Sequence, residues 1–166
     1  MARKRRAGRT RRGRQKALAI ENRQRAVAVK IAPLEAFFRK ICVEIGLGYP
    51  PASVCFVTDR EMKRLNRRYR KKSKTTDVLS FPSEVRPRPA SLGSVAATLR
   101  RKFLGDIAIS PTVARRNGKR RDRSVAGEIR ILLLHGILHL MGYDHEGDRG
   151  EMERVEAKLR RRLRLA

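Results

Sequence analysis

The chain has 166 residues, 40% of them hydrophobic, which is enough for one ordinary globular domain with a buried core. Lysine and arginine number 42 against 16 aspartates and glutamates, and the net charge of +26 favours an anionic partner, nucleic acid first and an anionic membrane surface second. Only 5% of the residues are aromatic and tryptophan is absent, which argues against a platform of aromatic rings that stacks bases.

Residues 1–16 form a strongly basic segment with nine lysines and arginines, two glycines and no acid. Such a segment cannot bury apolar surface, so we expect a disordered arm followed by a single domain at 17–166. The arm is either a solubilising tail or an element that orders on RNA phosphates, and the basic character of the remaining chain favours RNA. Its lack of acids also fits a transit peptide. No apolar run follows it, which excludes a secretory signal and favours a cytoplasmic protein.

The first predicted elements are a strand at Leu18–Asn22 and a helix for which Pro33 suits the first position. Six apolar residues then recur at helical spacing, and a stretch rich in glycine and proline at 46–51 ends the helix. The six are Leu34, Phe37, Phe38, Ile41, Cys42 and Ile45. Cys42 lies on this apolar stripe and forms no close motif with Cys55, so we expect two buried, reduced thiols.

A second strand is expected at Ser53–Thr58, followed by a helix whose N-terminus Asp59 can cap. Met62, Leu65 and Tyr69 form one apolar stripe along this helix. Its other faces are basic, and we expect four basic residues near its end to bind RNA phosphates. These four are Arg67, Arg68, Lys71 and Lys72.

The middle of the chain predicts two more strands, at Thr76–Pro82 and at Phe103–Ser110. The segment between them, residues 83–101, is rich in proline, glycine and serine without a clear period, which is typical of a mobile loop or a hairpin excursion. Pro111 then opens a short helix that is expected to end near Asn117.

The C-terminal part predicts two further helices. One, at about 125–141, is apolar on every side, which is typical of a central, buried helix. The last, at about 150–164, has a single apolar stripe, and Glu156 and Arg160 can pair on its surface. Strands and helices are therefore mixed along the chain, and we expect an α+β fold in which helices cover a small mixed β-sheet.

All three histidines of the chain lie in the stretch HGILHLMGYDH, at residues 135–145. His135 and His139 are four apart on the predicted central helix and therefore share one face. Gly142 ends the helix and lets the chain turn back, so that His145 can complete a triangle. Three separate core histidines would need three separate partners, whereas one shared metal ion explains all three.

Three neutral imidazoles leave one tetrahedral position open, which is typical of a catalytic rather than a structural zinc site. We therefore predict one Zn²⁺ per chain, with nickel or another divalent transition metal as the alternative ion. The spacing H-x3-H-x5-H also occurs in metzincin peptidases, but those enzymes place a glutamate base directly after the first histidine. Here that position is Gly136, so a zinc peptidase is the weaker interpretation.

Three blocks of the sequence, in this order, resemble the YbeY-type endoribonucleases, a family of bacterial ribosomal RNA maturation factors. The blocks are LNRRYRKKSKTTDVLSFP, LGDIAIS and HGILHLMGYDH, and the resemblance covers nearly all of the chain after the basic arm. It implies an α+β fold with the three histidines on zinc, and a metal-dependent, single-strand-specific endoribonuclease of 16S rRNA 3′-end maturation and ribosome quality control. The implied partners are single-stranded RNA, the 16S rRNA precursor and the small ribosomal subunit, and no membrane.

The resemblance also gives a role to Arg70, which occupies the position of a functional arginine in the family's active-site cleft. By residue type alone, Arg70 is one more solvated charge of a basic helix. In the implied cleft, its planar guanidinium would stabilise the negative charge that develops on the cleaved phosphate. Asp144 and Glu146 flank His145, and either could orient a ligand or shuttle a proton.

The sequence is therefore compatible with three functions. The first is a metal-dependent endoribonuclease, the second is an RNA-binding ribosome-assembly factor whose metal is mainly structural, and the third is a zinc peptidase. Metal removal separates the first two, because a catalytic site loses its activity and keeps its fold.

Overall fold

The computed structural model describes residues 18–47, 52–83, 103–145 and 148–165. These ranges contain four strands and five helices. The strands are β1 (Leu18–Asn22), β2 (Ala52–Phe56), β3 (Val78–Pro82) and β4 (Gly105–Ile109), and the helices are α1 (Ile31–Glu44), α2 (Asp59–Arg70), α3 (Pro111–Arg120), α4 (Val125–Leu140) and α5 (Glu151–Arg162). The expected basic arm, all but the first residue of the loop at 83–101, and Glu146 lie outside the described residues.

The four strands form one mixed sheet in the order β1-β2-β4-β3. β1, β2 and β4 run parallel, and β3 pairs antiparallel with β4, with Leu79 opposite Ala108. Parallel neighbours need a long crossover between them, which α1 supplies between β1 and β2. The predicted α+β fold, with helices on a small mixed sheet, is confirmed.

The two faces of the sheet carry cores of different size. Side chains alternate along a strand, so Ile107 and Ile109 of β4 point to one face and Ala108 to the other. The larger core joins the first face to α1, α4 and α5. The smaller core lies under α2, where the fully buried Met62 packs with Leu79 and Ala108. Helix α2 therefore lies on the opposite face of the sheet from α4.

Helix α4 is the central helix of the larger core, as its apolar sequence predicts. It contacts β3, β4, α1, α3 and α5, so that packed side chains surround it. The buried carboxylate of Glu128 is paired with Arg121 and Arg123, at 2.7 and 3.4 Å. This packing holds the backbone that carries His135 and His139 in place. Within the described residues, no helix combines the length and the apolarity that crossing a membrane requires.

Two helix starts differ from the sequence prediction. Helix α1 begins at Ile31, so Pro33 is its third residue rather than its first. A proline is tolerated there because the first four N–H groups of a helix have no partner within it. The cap of α2 is Thr58, whose hydroxyl accepts a hydrogen bond from the Glu61 N–H, and Asp59 is the first helical residue rather than the cap.

Other differences concern element ends and exposure. The strands expected at 76–82 and 103–110 are shortened to five residues each, and the strand expected at 53–58 runs instead from Ala52 to Phe56. Helix α3 continues to Arg120 instead of ending near Asn117. Tyr69 is 56% exposed: it lies in the last turn of α2, where its ring packs edge-on against Phe81 and the Arg68 guanidinium lies over it. Both cysteines are free thiols, but only Cys42 is fully buried, and burial raises its pKa to about 12.

Candidate metal centre

The three histidines converge at the C-terminal end of α4, where the chain turns back. His135 and His139 are about one helical turn apart on one face of α4. Gly142 turns the chain with a φ of 95°, a left-handed conformation that favours glycine. His145 then returns to the other two, and the three ring centroids are 4.8 to 5.6 Å apart. One nitrogen of each ring lies within 4.8 Å of the others, so the cluster can hold a metal ion.

The distances within this cluster fit a transition metal. Nε2 of His135 is 3.1 Å from Nε2 of His139. Two imidazole nitrogens that bind one tetrahedral zinc ion are about 3.3–3.4 Å apart, so a small movement of either ring places both at ligand distance. Three imidazoles suit zinc and also other divalent transition metals, so the cluster does not by itself identify the ion.

His139 is held in the neutral form that a metal ligand must have. Burial and the neighbouring His135 and His145 lower the pKa of His139 to about 4, although Asp144 and the backbone of Tyr143 act in the opposite direction. Because this pKa is lowered, a proton competes with a metal for the His139 nitrogen only below about pH 4. The ligand nitrogen of His139 is therefore available throughout the physiological range.

A buried acid from outside the histidine stretch contacts the cluster. Glu156 of α5 is 6% exposed, and its Oε2 accepts a hydrogen bond from Nδ1 of His135 at 2.9 Å. Its Oε1 is 2.5 Å from the Arg160 guanidinium, so the predicted Glu156–Arg160 pair forms, but the Glu156 side chain is buried and not on the surface. Burial would raise the pKa of this carboxyl, but the hydrogen bond with His135 and the charge of Arg160 outweigh burial and lower it.

Of the two acids that flank His145 and were predicted to act beside it, the structure describes one. Asp144 is exposed and lines the same cleft as His135 and His139. Its charge acts on His139, since it raises the pKa of that imidazole. Glu146 lies outside the described residues. An orienting or proton-transfer role for either acid stays a prediction.

A cleft of about 430 Å³ opens beside the histidines along the edge strand β3. Residues from both faces of β3 line it, together with His135 and His139 of α4 and with Asp77 just before β3. Arg70, the last residue of α2, also lines it, because α2 ends at this edge of the sheet although it covers the opposite face. The structure therefore brings the predicted arginine and two of the predicted ligands to one cleft.

Two polar residues of the cleft wall, Asp77 and Ser80, differ in their hydrogen bonds. Asp77 accepts hydrogen bonds from the Val78 N–H and from Nδ2 of Asn117, both at 3.0 Å, and thereby fixes the start of β3 to α3. Ser80 points from β3 towards α4, and its buried Oγ has no hydrogen-bond partner among the described residues. Neither residue was predicted from the sequence to have a functional role.

The residues predicted to bind RNA are all exposed, at the end of α2 and just after it. They are Arg67, Arg68, Lys71 and Lys72. Among the described residues that line the histidine cleft, none of these four occurs. Arg67 instead lines a second cavity, of about 710 Å³, together with Lys63 and Arg64. Arg67 and Arg70 therefore face different surfaces although they are only three residues apart.

Gly136 faces the sheet and not the histidines. A Cβ atom at this position would lie 2.9 and 3.0 Å from two methyl carbons of Ile107 and 3.2 Å from Oγ of Ser80. A glutamate has no room there, and its side chain would leave the helix towards the core. The position that carries the base of a metzincin peptidase is thus closed by packing, which adds to the evidence against a peptidase.

Comparison with known proteins extends over nearly the whole chain. A family model described as Endoribonuclease YbeY matches residues 19–164. A protein named Endoribonuclease YbeY from Koribacter versatilis is 44% identical over 112 residues, which is 68% of this chain and 64% of that protein. One of the same name from Solibacter usitatus is 38% identical over 147 residues, 89% of this chain and 88% of its own. The solution structure of a Thermotoga maritima protein matches with a TM-score of 0.54 and 25% identity, over 88% of both chains.

Proposed function

Because the chain belongs to the endoribonuclease YbeY family, we propose that it is a metal-dependent endoribonuclease that cleaves single-stranded RNA. The observation that carries this proposal is the three-histidine cluster, two members of which, His135 and His139, line a cleft that Arg70 also lines. The finer assignment is to 16S rRNA 3′-end maturation and ribosome quality control in the cytoplasm, with the 16S rRNA precursor and the small subunit as partners. That assignment rests on the family and on the charge of +26.

Each residue of the proposed active site has its own role in the reaction. His135, His139 and His145 would hold the metal, for which Zn²⁺ is the preferred candidate at one ion per chain. A divalent ion bound there supplies a Lewis acid for the phosphoryl oxygen and lowers the pKa of water. The Arg70 guanidinium donates hydrogen bonds to the non-bridging phosphate oxygens as negative charge develops on them. Asp144 lines the cleft as an exposed carboxylate, which suits it to accept or release a proton.

The exposed basic residues at the end of α2 would bind the RNA backbone on either side of the cleaved bond. Phosphate contacts of lysine and arginine position a nucleic acid without reading its sequence. The low aromatic content favours this backbone mode over base stacking. A strand without a partner can bend into the cleft beside β3, whereas a stiff duplex must first open.

The proposal is tested by the strand preference of the purified protein. We expect cleavage of a single-stranded RNA to be at least about tenfold faster than cleavage of the same sequence in a duplex, in which a few bases must first be unpaired. The matched control is a DNA oligonucleotide of the same sequence, which we expect to remain intact. Equal cleavage of single strands and duplex, or hydrolysis of casein in place of RNA, contradicts the proposal.

We further propose that residues 1–16 act as an arm that orders on RNA phosphates. Deleting them is expected to leave the metal content and the melting temperature unchanged and to weaken RNA binding at low salt. For each phosphate that the deleted arm would have neutralised, the slope of log affinity against log salt should flatten by about 0.7 on a single strand. The measurement is a titration of fluorescent RNA at several salt concentrations. An unchanged affinity and slope would identify the segment as a tail or an address signal.

A further inference from the structure

Glu156 contacts the metal centre from a helix that carries none of the three histidines. It lies on α5, whereas His135 is on α4, and the two helices pack against each other. Its two carboxylate oxygens have different partners. Oε2 accepts a hydrogen bond from Nδ1 of His135 at 2.9 Å, and Oε1 accepts one from the Arg160 guanidinium at 2.5 Å. Both oxygens are therefore fixed, and the carboxylate cannot rotate without breaking one of these two hydrogen bonds.

The burial of this carboxylate calls for an explanation. Glu156 is 6% exposed, and a charge removed from water destabilises the fold unless it is paired and hydrogen-bonded. An apolar residue at this position would extend the stripe of α5, where Met152 and Leu159 are already buried. Arg160 lies one turn further along the helix, where its guanidinium could pair with an acid at the surface. Arg160 therefore does not by itself require a buried carboxylate. The direction of Oε2 towards His135 is the feature that the packing of α5 does not require.

The hydrogen bond decides which nitrogen of His135 is free. A carboxylate only accepts hydrogen bonds, so Nδ1 must carry the proton. Nε2 then presents its lone pair, and it is Nε2 that lies 3.1 Å from Nε2 of His139. A carboxylate behind a metal-binding imidazole fixes the tautomer and the ring plane, and it makes the free nitrogen a better ligand.

We propose that Glu156 is a positioning residue of the metal centre, which holds His135 as the Nδ1–H tautomer with Nε2 directed at the ion, while Arg160 fixes Glu156. This inference rests on the proposed metal site. It gives α5 a part in metal binding, although all three histidines lie outside α5, at residues 135–145. Asp144 and Glu146, the acids predicted for such a role, are neighbours of a ligand in sequence. Glu156 is distant from the ligands in sequence and contacts one of them directly, through Oε2 to Nδ1 of His135.

The test measures the affinity of the purified protein for Zn²⁺ in competition with a chromogenic chelator. Glu156→Ala is expected to weaken zinc binding by about 10- to 100-fold, the range found when such a carboxylate is removed. Glu156→Gln should lose less, because the amide oxygen can still accept from Nδ1. Nitrogen-15 NMR of the metal-free protein should show His135 as the Nδ1–H tautomer, and Glu156→Ala should abolish this preference.

Two variants of the same helix serve as controls. Glu153→Gln removes an exposed negative charge from α5, and Leu159→Ala removes buried side-chain volume from it. Both are expected to bind zinc within about threefold of the unchanged protein, so that neither net charge nor loosened packing explains the effect of Glu156. If Glu156→Ala does not fold, Glu156→Leu, which fills the same buried position without a hydrogen-bond acceptor, decides the question.

The outcomes separate this inference from the proposed function. If the unchanged protein binds zinc and both Glu156 variants bind it equally well, Glu156 is only a packing residue and the inference is overturned. If the unchanged protein binds no transition metal, the metal-dependent function itself fails, and the inference fails with it. A selective loss in the Glu156 variants, together with the change of tautomer, supports it.

Discussion

Replacing any one of the three histidines by alanine is expected to release the metal and to stop RNA cleavage. A site with three protein ligands has none to spare, because two imidazoles and water compete poorly with the surrounding solution for a zinc ion. We expect close to one transition-metal ion per chain in the unchanged protein at neutral pH. In His135→Ala, His139→Ala and His145→Ala we expect less than about one tenth of that. Mass spectrometry of the purified proteins measures the metal, and a single-stranded RNA assay measures the cleavage.

The fold should survive these substitutions, and this distinguishes a catalytic from a structural metal. His135 and His139 are only half buried and His145 is exposed, whereas the core around α4 is built from apolar side chains that the substitutions do not touch. Circular dichroism and the melting temperature should therefore remain close to those of the unchanged protein, also after removal of the metal by a chelator. A protein that unfolds on chelation would instead be the assembly factor with a structural metal. Full metal content in any two of the three variants would rule out the triad.

The part of this site that is local in sequence could be predicted from the sequence. Residues four apart on a helix share a face whatever the rest of the fold does, and an all-round apolar segment has to be central. Gly142 marks the turn that returns His145 to the helix. These three properties depend on neighbouring residues only, so the cluster and its place on the central helix followed from one short stretch.

The part that depends on packing between distant elements could not be predicted. Glu156 is an ordinary member of a charged helix in sequence, and its spacing to Arg160 indicates a surface pair. Only the packing of α5 on α4 shows that it is buried and directed at His135. The exposure of Tyr69 differs from the prediction for a similar reason. Its spacing fits an apolar stripe, but α2 ends at the edge of the sheet, where fewer side chains are available for packing. From the sequence, only acids next to a ligand could be proposed to orient it, and Asp144 and Glu146 flank His145.

Arg70→Ala is expected to keep its metal and near-normal RNA affinity and to lower single-turnover cleavage by roughly a hundredfold. This is the scale of losing one donor that stabilises charge in a transition state. Eight basic residues lie between positions 63 and 74, so the loss of one charge should weaken RNA binding only modestly and be restored at low salt. An interaction that strengthens in the transition state lowers the rate of the chemical step instead, and low salt does not restore it.

Arg70→Lys should recover only part of this rate, because an ammonium group keeps the charge but cannot present the planar pair of donors to two phosphate oxygens. Arg67→Ala is the matched control: it removes the same side chain from the same helix, one turn away, but Arg67 lines the cavity with Lys63 and Arg64 and not the cleft of the histidines. The two alanine variants therefore carry equal charge and differ only in which surface they change. If both prove equally mild at saturating RNA, Arg70 belongs to the general basic surface, and its position beside the metal centre has no part in the chemistry.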